Sequence, residues 1–113
     1  MLPGTYNFPS YLKGDTINDT VFTVTQTISG VSSPVDLTGA IIKAKFKNGN
    51  NVIDKTNGSG ITVSDAINGV FQINAFSIAL AGVYHYDIEF TFSDGTIRTY
   101  LQGTITIQND VTS

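Results

Sequence analysis

The chain has no cysteine and no tryptophan, and one histidine and one methionine in 113 residues. Without thiols it has no disulfide, no zinc–thiolate site and no cysteine nucleophile, so its stability must come from sheet packing. The single histidine, His85, excludes a histidine-rich metal site, and neither a Gly-x-Ser-x-Gly elbow nor a phosphate-binding loop is present. Charge is scarce too. Only 13% of residues are charged, and six basic residues stand scattered against nine acidic ones for a net −3, which gives no electrostatic footprint for nucleic acid. No apolar run approaches the length of a membrane span, and Met1-Leu2-Pro3-Gly4 lacks the basic and apolar parts of a secretory signal. A soluble chain without membrane association is therefore expected. What is abundant is threonine, serine, asparagine and glycine around a hydrophobic fraction of 41%, a polar, uncharged surface of the kind that packs into assemblies or meets glycans. The length suits one domain, 1–113, and neither a linker nor a repeat divides it.

The clearest pattern lies in the last third. From Gly82 to Phe92 apolar and polar residues alternate, Asp94-Gly95 follows, and alternation resumes through Ile107, which predicts a long β-hairpin. A two-residue type I′ turn at Asp94-Gly95 would set Phe92 opposite Ile97, Ile88 opposite Leu101 and Tyr84 opposite Ile105. Phe90, Phe92, Ile97 and Leu101 would then be buried, with Glu89, Thr91 and Arg98 exposed. Upstream, Thr20 to Ile28 reads as a β-branched strand with Phe22, Val24 and Ile28 on one side and threonines on the wet side. Ser29 to Pro34 reads as a loop, and Asp36-Leu37-Thr38-Gly39 as a tight turn. Ala40 to Lys47 reads as a strand with Ile42, Ala44 and Phe46 inward and Lys43, Lys45 and Lys47 outward. Leu37 and Ile42 are the expected core anchors. Short strands follow at Val52 to Thr56, Ile61 to Val63 and Val70 to Ala75, and Phe76 to Ala81 is too short for a free-standing helix and reads as a connecting turn. Tyr6 to Leu12, broken by Pro9, reads as an edge strand. Seven or eight short strands with turn signals between them predict an all-β, two-sheet antiparallel sandwich. Gly82-Val83-Tyr84 resembles the corner of immunoglobulin-like sandwiches, in which a tyrosine hydroxyl bonds back to the upstream connection; an ordinary core tyrosine is the other reading.

Chemistry is sparse. His85 and Asp87 share a strand face, but no nucleophile of known position accompanies them, and an exposed hairpin face accounts for both. Asp15, Asp19, Asp54, Asp65 and Asp94 sit at or near turns without the spacing that converges oxygens on calcium. The three outward lysines fall beside the strand of Asp87 and Glu89, so cross-strand ion pairs are expected. Asn18-Asp19-Thr20 and Asn57-Gly58-Ser59 match the glycosylation pattern, which carries little weight without a secretory signal.

The order of several segments carries a resemblance. Gly14-Asp15-Thr16, Pro34 to Ala40, Gly82 to Ile88, Asp94 to Gly103 and Ile107 to Asp110 together resemble small bacteriophage structural proteins. In particular they are similar to the immunoglobulin-like N-terminal domain of phage baseplate upper proteins, over nearly the whole chain. The resemblance implies a non-catalytic virion subunit, a tail, baseplate or neck accessory or adaptor or a capsid decoration, that docks onto a larger phage structural protein. It implies no cofactor, no metal and no catalytic residue, partners among other phage proteins with homo-oligomers included, and assembly in the bacterial host cytoplasm. Baseplate upper proteins continue into coiled-coil and receptor-proximal regions that these 113 residues do not include, so the resemblance leaves host-receptor binding and trimerisation open. Candidate interaction residues are Tyr6, Phe8 and Tyr11 on one edge, Val52 and Ile53 on another, and Tyr100 on the outer sheet face. Residues 1–11, interrupted by Pro3, Gly4 and Pro9, read as a docking arm ordered chiefly by a neighbour. A carbohydrate-binding or adhesin module is the alternative, and its sugar-stacking candidates are Tyr100, Tyr6 and Tyr11.

Overall fold

The computed structural model describes residues 4–109, which form strands and turns with no helix among them. In chain order the strands are β1 (Gly4–Thr5), β2 (Tyr11–Leu12), β3 (Thr16–Ile17), β4 (Thr20–Thr23), β5 (Thr25–Ile28), β6 (Val31–Pro34) and β7 (Ile41–Asn48). They continue as β8 (Asn51–Asn57), β9 (Gly60–Asp65), β10 (Val70–Ile73), β11 (Phe76–Ser77), β12 (Gly82–Thr91) and β13 (Ile97–Gln108). The all-β class stands. The strands are more numerous than seven or eight because the first 34 residues break into pieces of two to four residues.

Nine strands share one sheet in the order β1-β13-β12-β7-β8-β9-β10-β4, with β2 also on β13, while β11–β3 and β5–β6 form separate ribbons. Nor is the pairing wholly antiparallel, since β1 and β2 lie parallel to β13 and β8 lies parallel to β9. The β8–β9 contact is only Thr56↔Gly60 and Asn57↔Ile61, so the sheet turns a corner there. On one side of the corner β7 buries Ile42, Ala44 and Phe46, and β12 buries Tyr84, Tyr86, Ile88 and Phe90. On the other, β10 buries Phe71 and Ile73 and β4 buries Phe22. Strict alternation on these strands makes one face apolar, and each large side chain removed from water contributes about 1.5–3 kcal/mol. The two halves meet ring to ring, with Phe71 5.5 Å from Phe90 and Phe22 5.5 Å from Tyr6. The expected two separate sheets are thus replaced by one nine-stranded sheet that curls as a half-barrel over the core, bringing its β4–β10 part to face its β7–β12 part as two layers.

Leu37 and Ile42 are fully buried, as expected of anchors. The turn before β7 is held by the Asp36 carboxylate, which accepts from the Thr38 amide at 2.9 Å and the Thr38 hydroxyl at 2.6 Å. Tyr84 combines both readings: it is buried in the core, and its hydroxyl donates to the Leu80 carbonyl at 2.9 Å while accepting from Asn51 Nδ2 at 2.7 Å.

The hairpin tip departs from expectation. Tyr84↔Ile105 and Ile88↔Leu101 pair as predicted, but Thr91, not Phe92, lies opposite Ile97, and Phe90 lies opposite Arg98. Gly95 N donates to Phe92 O and Phe92 N to Thr96 O, and Gly95 alone at the tip has positive φ, at 89°. The connection is therefore a three-residue turn closed by a left-handed glycine, not a two-residue type I′ turn. A bulge between Ile88 and Glu89 absorbs the offset. Its consequence is a flip of faces: Ile97 is 56% exposed, and Tyr100 packs on Phe90 and Phe92.

The stretch from Thr20 to Pro34 also differs. The strand breaks at Val24, and Ser29 to Pro34 is no loop: Ser29 and Gly30, both with positive φ, turn β5 into β6. Ile28 and Val31 flank that turn as an exposed pair. Phe76 and Ser77, read as part of a connecting turn, pair as β11 with Ile17 and Thr16.

Candidate functional site

The six candidate interaction residues fall in three places and do not form one surface. On the arm, Tyr6 N donates to Gln102 O and Phe8 N to Thr104 O, so residues 4–8 run parallel along β13. Phe8 is a core residue, its ring near those of Phe22, Phe46 and Tyr86. That removes it from the interaction candidates, because a buried ring enclosed by these and by Tyr6 is not free for a partner. Tyr6 stays partly exposed with its ring edge on Phe8 and Phe22, and Tyr11 is half-buried against the core. The expectation that a neighbour orders the arm gives way over residues 4–11 to pairing with the chain's own last strand; residues 1–3 lie outside the described range. On β8, Val52 is exposed and Ile53 packs against the core, and from Asn51 to Lys55 the side away from β7 is an open edge, as expected. Tyr100 has left the outer face for the inner side of the hairpin tip.

The outer face of β7, β12 and β13 is polar. Lys47, His85 and Thr104 line up in one cross-strand row, and Lys45, Asp87 and Gln102 in the next. With Asn7 and Thr5 these rows line an open trough of about 510 Å³. Among the described residues no hydrogen bond joins His85 to Asp87, and the ion pair within 4.0 Å is Lys45 to Asp54 on β8. The lysine strand does lie beside Asp87 and Glu89, yet the expected ion pairs to those two carboxylates are not formed. The exposed Lys45–Asp54 pair contributes about 0–1 kcal/mol.

A second cleft, about 480 Å³, opens at one end of the two layers. Its walls are the hairpin tip, with Phe92, Asp94, Arg98 and Tyr100, the segment before β7, with Asp36 and Thr38, and Gln26 of β5. Hydrogen bonds from the Thr38 hydroxyl and amide hold Asp36 below the ordinary carboxylate range. The Thr96 amide, then its hydroxyl, does the same for Asp94. Both carboxylates are therefore charged wherever the protein is folded near neutral pH. No motif in the sequence groups these residues. A turn at Ser29-Gly30 would pair Gln26 with Ser33, and its place against the hairpin tip comes from tertiary packing alone.

Among the described residues no three His, Asp or Glu side chains are grouped to hold a metal ion, and no helix is long and apolar enough to cross a membrane. No protein-family model and no curated protein matches the chain. Among solved structures, a candidate glycoside hydrolase of Bacteroides vulgatus is similar over 82% of this chain at 16% identity and a TM-score of 0.47. The chain spans 15% of that protein. Murine CRIg is similar over 96% of this chain and 93% of its own, at 13% identity and a TM-score of 0.36. At these scores neither likeness assigns a fold family or a function to the chain.

Proposed function

We propose that this chain is a non-catalytic docking module, an immunoglobulin-like sandwich that serves as a structural subunit of a tailed-phage virion by attaching to a larger virion protein. The sandwich part of the reading is supported by the two facing layers, by their strand order, and by the Tyr84 hydroxyl bonded to Leu80 O at the start of β12. The virion part is supported by the order of segments that resembles baseplate upper proteins. The observation that carries docking is the unpaired backbone. The outer sides of β4 and β8 and the free-standing β5–β6 ribbon leave amides and carbonyls open to a neighbouring chain. Mass spectrometry of purified particles should find the protein at a fixed copy number. Its absence from particles, or substrate turnover that is lost on changing His85 or Asp87, would overturn the reading.

The cleft at the loop end favours a second reading, a carbohydrate-binding module. Tyr100 and Phe92 offer ring surface there beside the amide of Gln26 and the charges of Asp36 and Arg98, a combination able to stack and hydrogen-bond a sugar. A glycan array on which Tyr100→Ala and the parent chain bind equally, or neither binds, would count against it.

A further inference from the structure

The β5–β6 hairpin is held to itself alone. Its pairs are Thr25↔Pro34, Gln26↔Ser33, Thr27↔Ser32 and Ile28↔Val31, and among the described residues no third strand lies beside it. In a two-residue hairpin the pair next to the turn exchanges both hydrogen bonds, and every second pair repeats this. Ile28, Gln26 and their partners are thereby satisfied inside the hairpin. Thr25 and Thr27 on one strand, and Ser32 and Pro34 on the other, direct their backbone outward. Pro34 has no N–H to offer, which blunts the β6 edge and leaves β5 as the fuller one. Thr25, Thr27 and Ile28 are all exposed, and from Thr20 to Val35 the sequence carries no charge. Neither a lysine nor an inward charge therefore protects β5 from pairing, and a two-stranded ribbon by itself is marginally stable.

We infer that β5 pairs antiparallel with β5 of a second copy of this chain, across a two-fold axis at Gln26. Parity places the axis at a residue, and Gln26 is the one that opposes the two outward-directed threonines to each other, since an axis at Thr27 would set Thr25 against Ser29 in the turn. An axis at Gln26 sets Thr25 opposite Thr27 of the second copy, so the outward-directed groups meet as hydrogen-bonded pairs. It also sets the exposed Ile28 opposite Val24 of the copy, whose side chain is buried in its own core, so the pairing rests on the backbone of Thr25 and Thr27. An axis between two residues would oppose side chains that point to different faces. A two-fold axis places each residue near its own equivalent, where any charge would meet its like, and the uncharged segment has none to repel. A heterologous strand requires no such self-complementarity. The inference rests on the docking part of the function proposed above and not on the virion assignment.

Sedimentation velocity of the full chain over a concentration series tests it. The expected result is a reversible dimer, weakened at least about tenfold by Thr27→Pro and by the pair Thr25→Lys with Thr27→Lys, as edge prolines and lysines oppose strand pairing. Ser64→Lys, at an exposed position on β9, should leave the dimer intact, and unchanged thermal melts show that the variants fold. Amides of Thr25 and Thr27 should exchange slowly only in the dimer. A monomer at every concentration, or a dimer indifferent to both sets of changes, overturns the inference. If that monomer is nonetheless found in particles, docking onto a virion protein stands without self-pairing. A dimer that is absent from particles supports self-pairing and overturns the virion role.

Discussion

The Tyr86 hydroxyl donates to the Tyr6 carbonyl, and that carbonyl lies against Gly103, where any Cβ would collide with it. The arm can lie along β13 because residue 103 has no side chain. Burial, with a contribution from Tyr6, pushes the Tyr86 phenol up from its ordinary value, so it remains a donor at any working pH. Tyr86→Phe should cost about 1 kcal/mol and speed hydrogen exchange at Tyr6 and Phe8 while the amides of β7 stay protected. Gly103→Ala should release the arm more completely, read by the same exchange. At the other end of the molecule, Asp36 and Asp94 titrate below their ordinary value of 3.8. A carboxylate with a depressed folded value contributes stability that is complete above the unfolded value and is lost as pH falls through the folded one. Carboxyl-carbon NMR should place both midpoints below 3.8, and Thr38→Val should move that of Asp36 back up.

Among elements, β7 and the lower part of the β12–β13 hairpin were legible in the sequence because each has one wet and one dry face, and a one-residue slip would invert both. The tip was not. Asp94-Gly95 fits a two-residue and a three-residue connection alike, and the choice is made by Tyr100 packing on Phe90 and Phe92, which no local pattern encodes. With Gly95 at φ 89°, Gly95→Val should cost on the order of 1–3 kcal/mol in thermal or denaturant unfolding. The β5–β6 ribbon was missed because its apolar residues do not alternate into the core, and because Ser29 takes a backbone conformation uncommon outside glycine. Phe8 was misplaced because one aromatic before Pro9 reads as an exposed arm. The contrary sign was Gly103, a glycine inside an alternating strand, which often marks the close approach of another backbone. The loop-end cleft draws on residues from 26 to 100, and nothing in the sequence alone brings them together.

For the molecule as a whole, one core joins both layers, so unfolding should be cooperative. Leu37, 1% exposed beneath the loop end, is the point at which to test this: Leu37→Ala should destabilise by roughly 2–5 kcal/mol, with coincident transitions by near- and far-UV circular dichroism. The parallel pairing of the arm with β13 has a further consequence, in time. Asn7 accepts from the amide of Thr104, a contact spanning 97 positions, and Phe8 cannot reach its place between Phe46 and Tyr86 until the last strand exists. The arm is made before β13 and can dock only after it. Until then Phe8 has no core to enter, and β13, once made, has a bare edge. Closure of so long a loop makes folding slow for a chain of this size. Wrong pairing thus threatens most in the interval after β13 is made and before the arm docks, at the edge where the arm belongs.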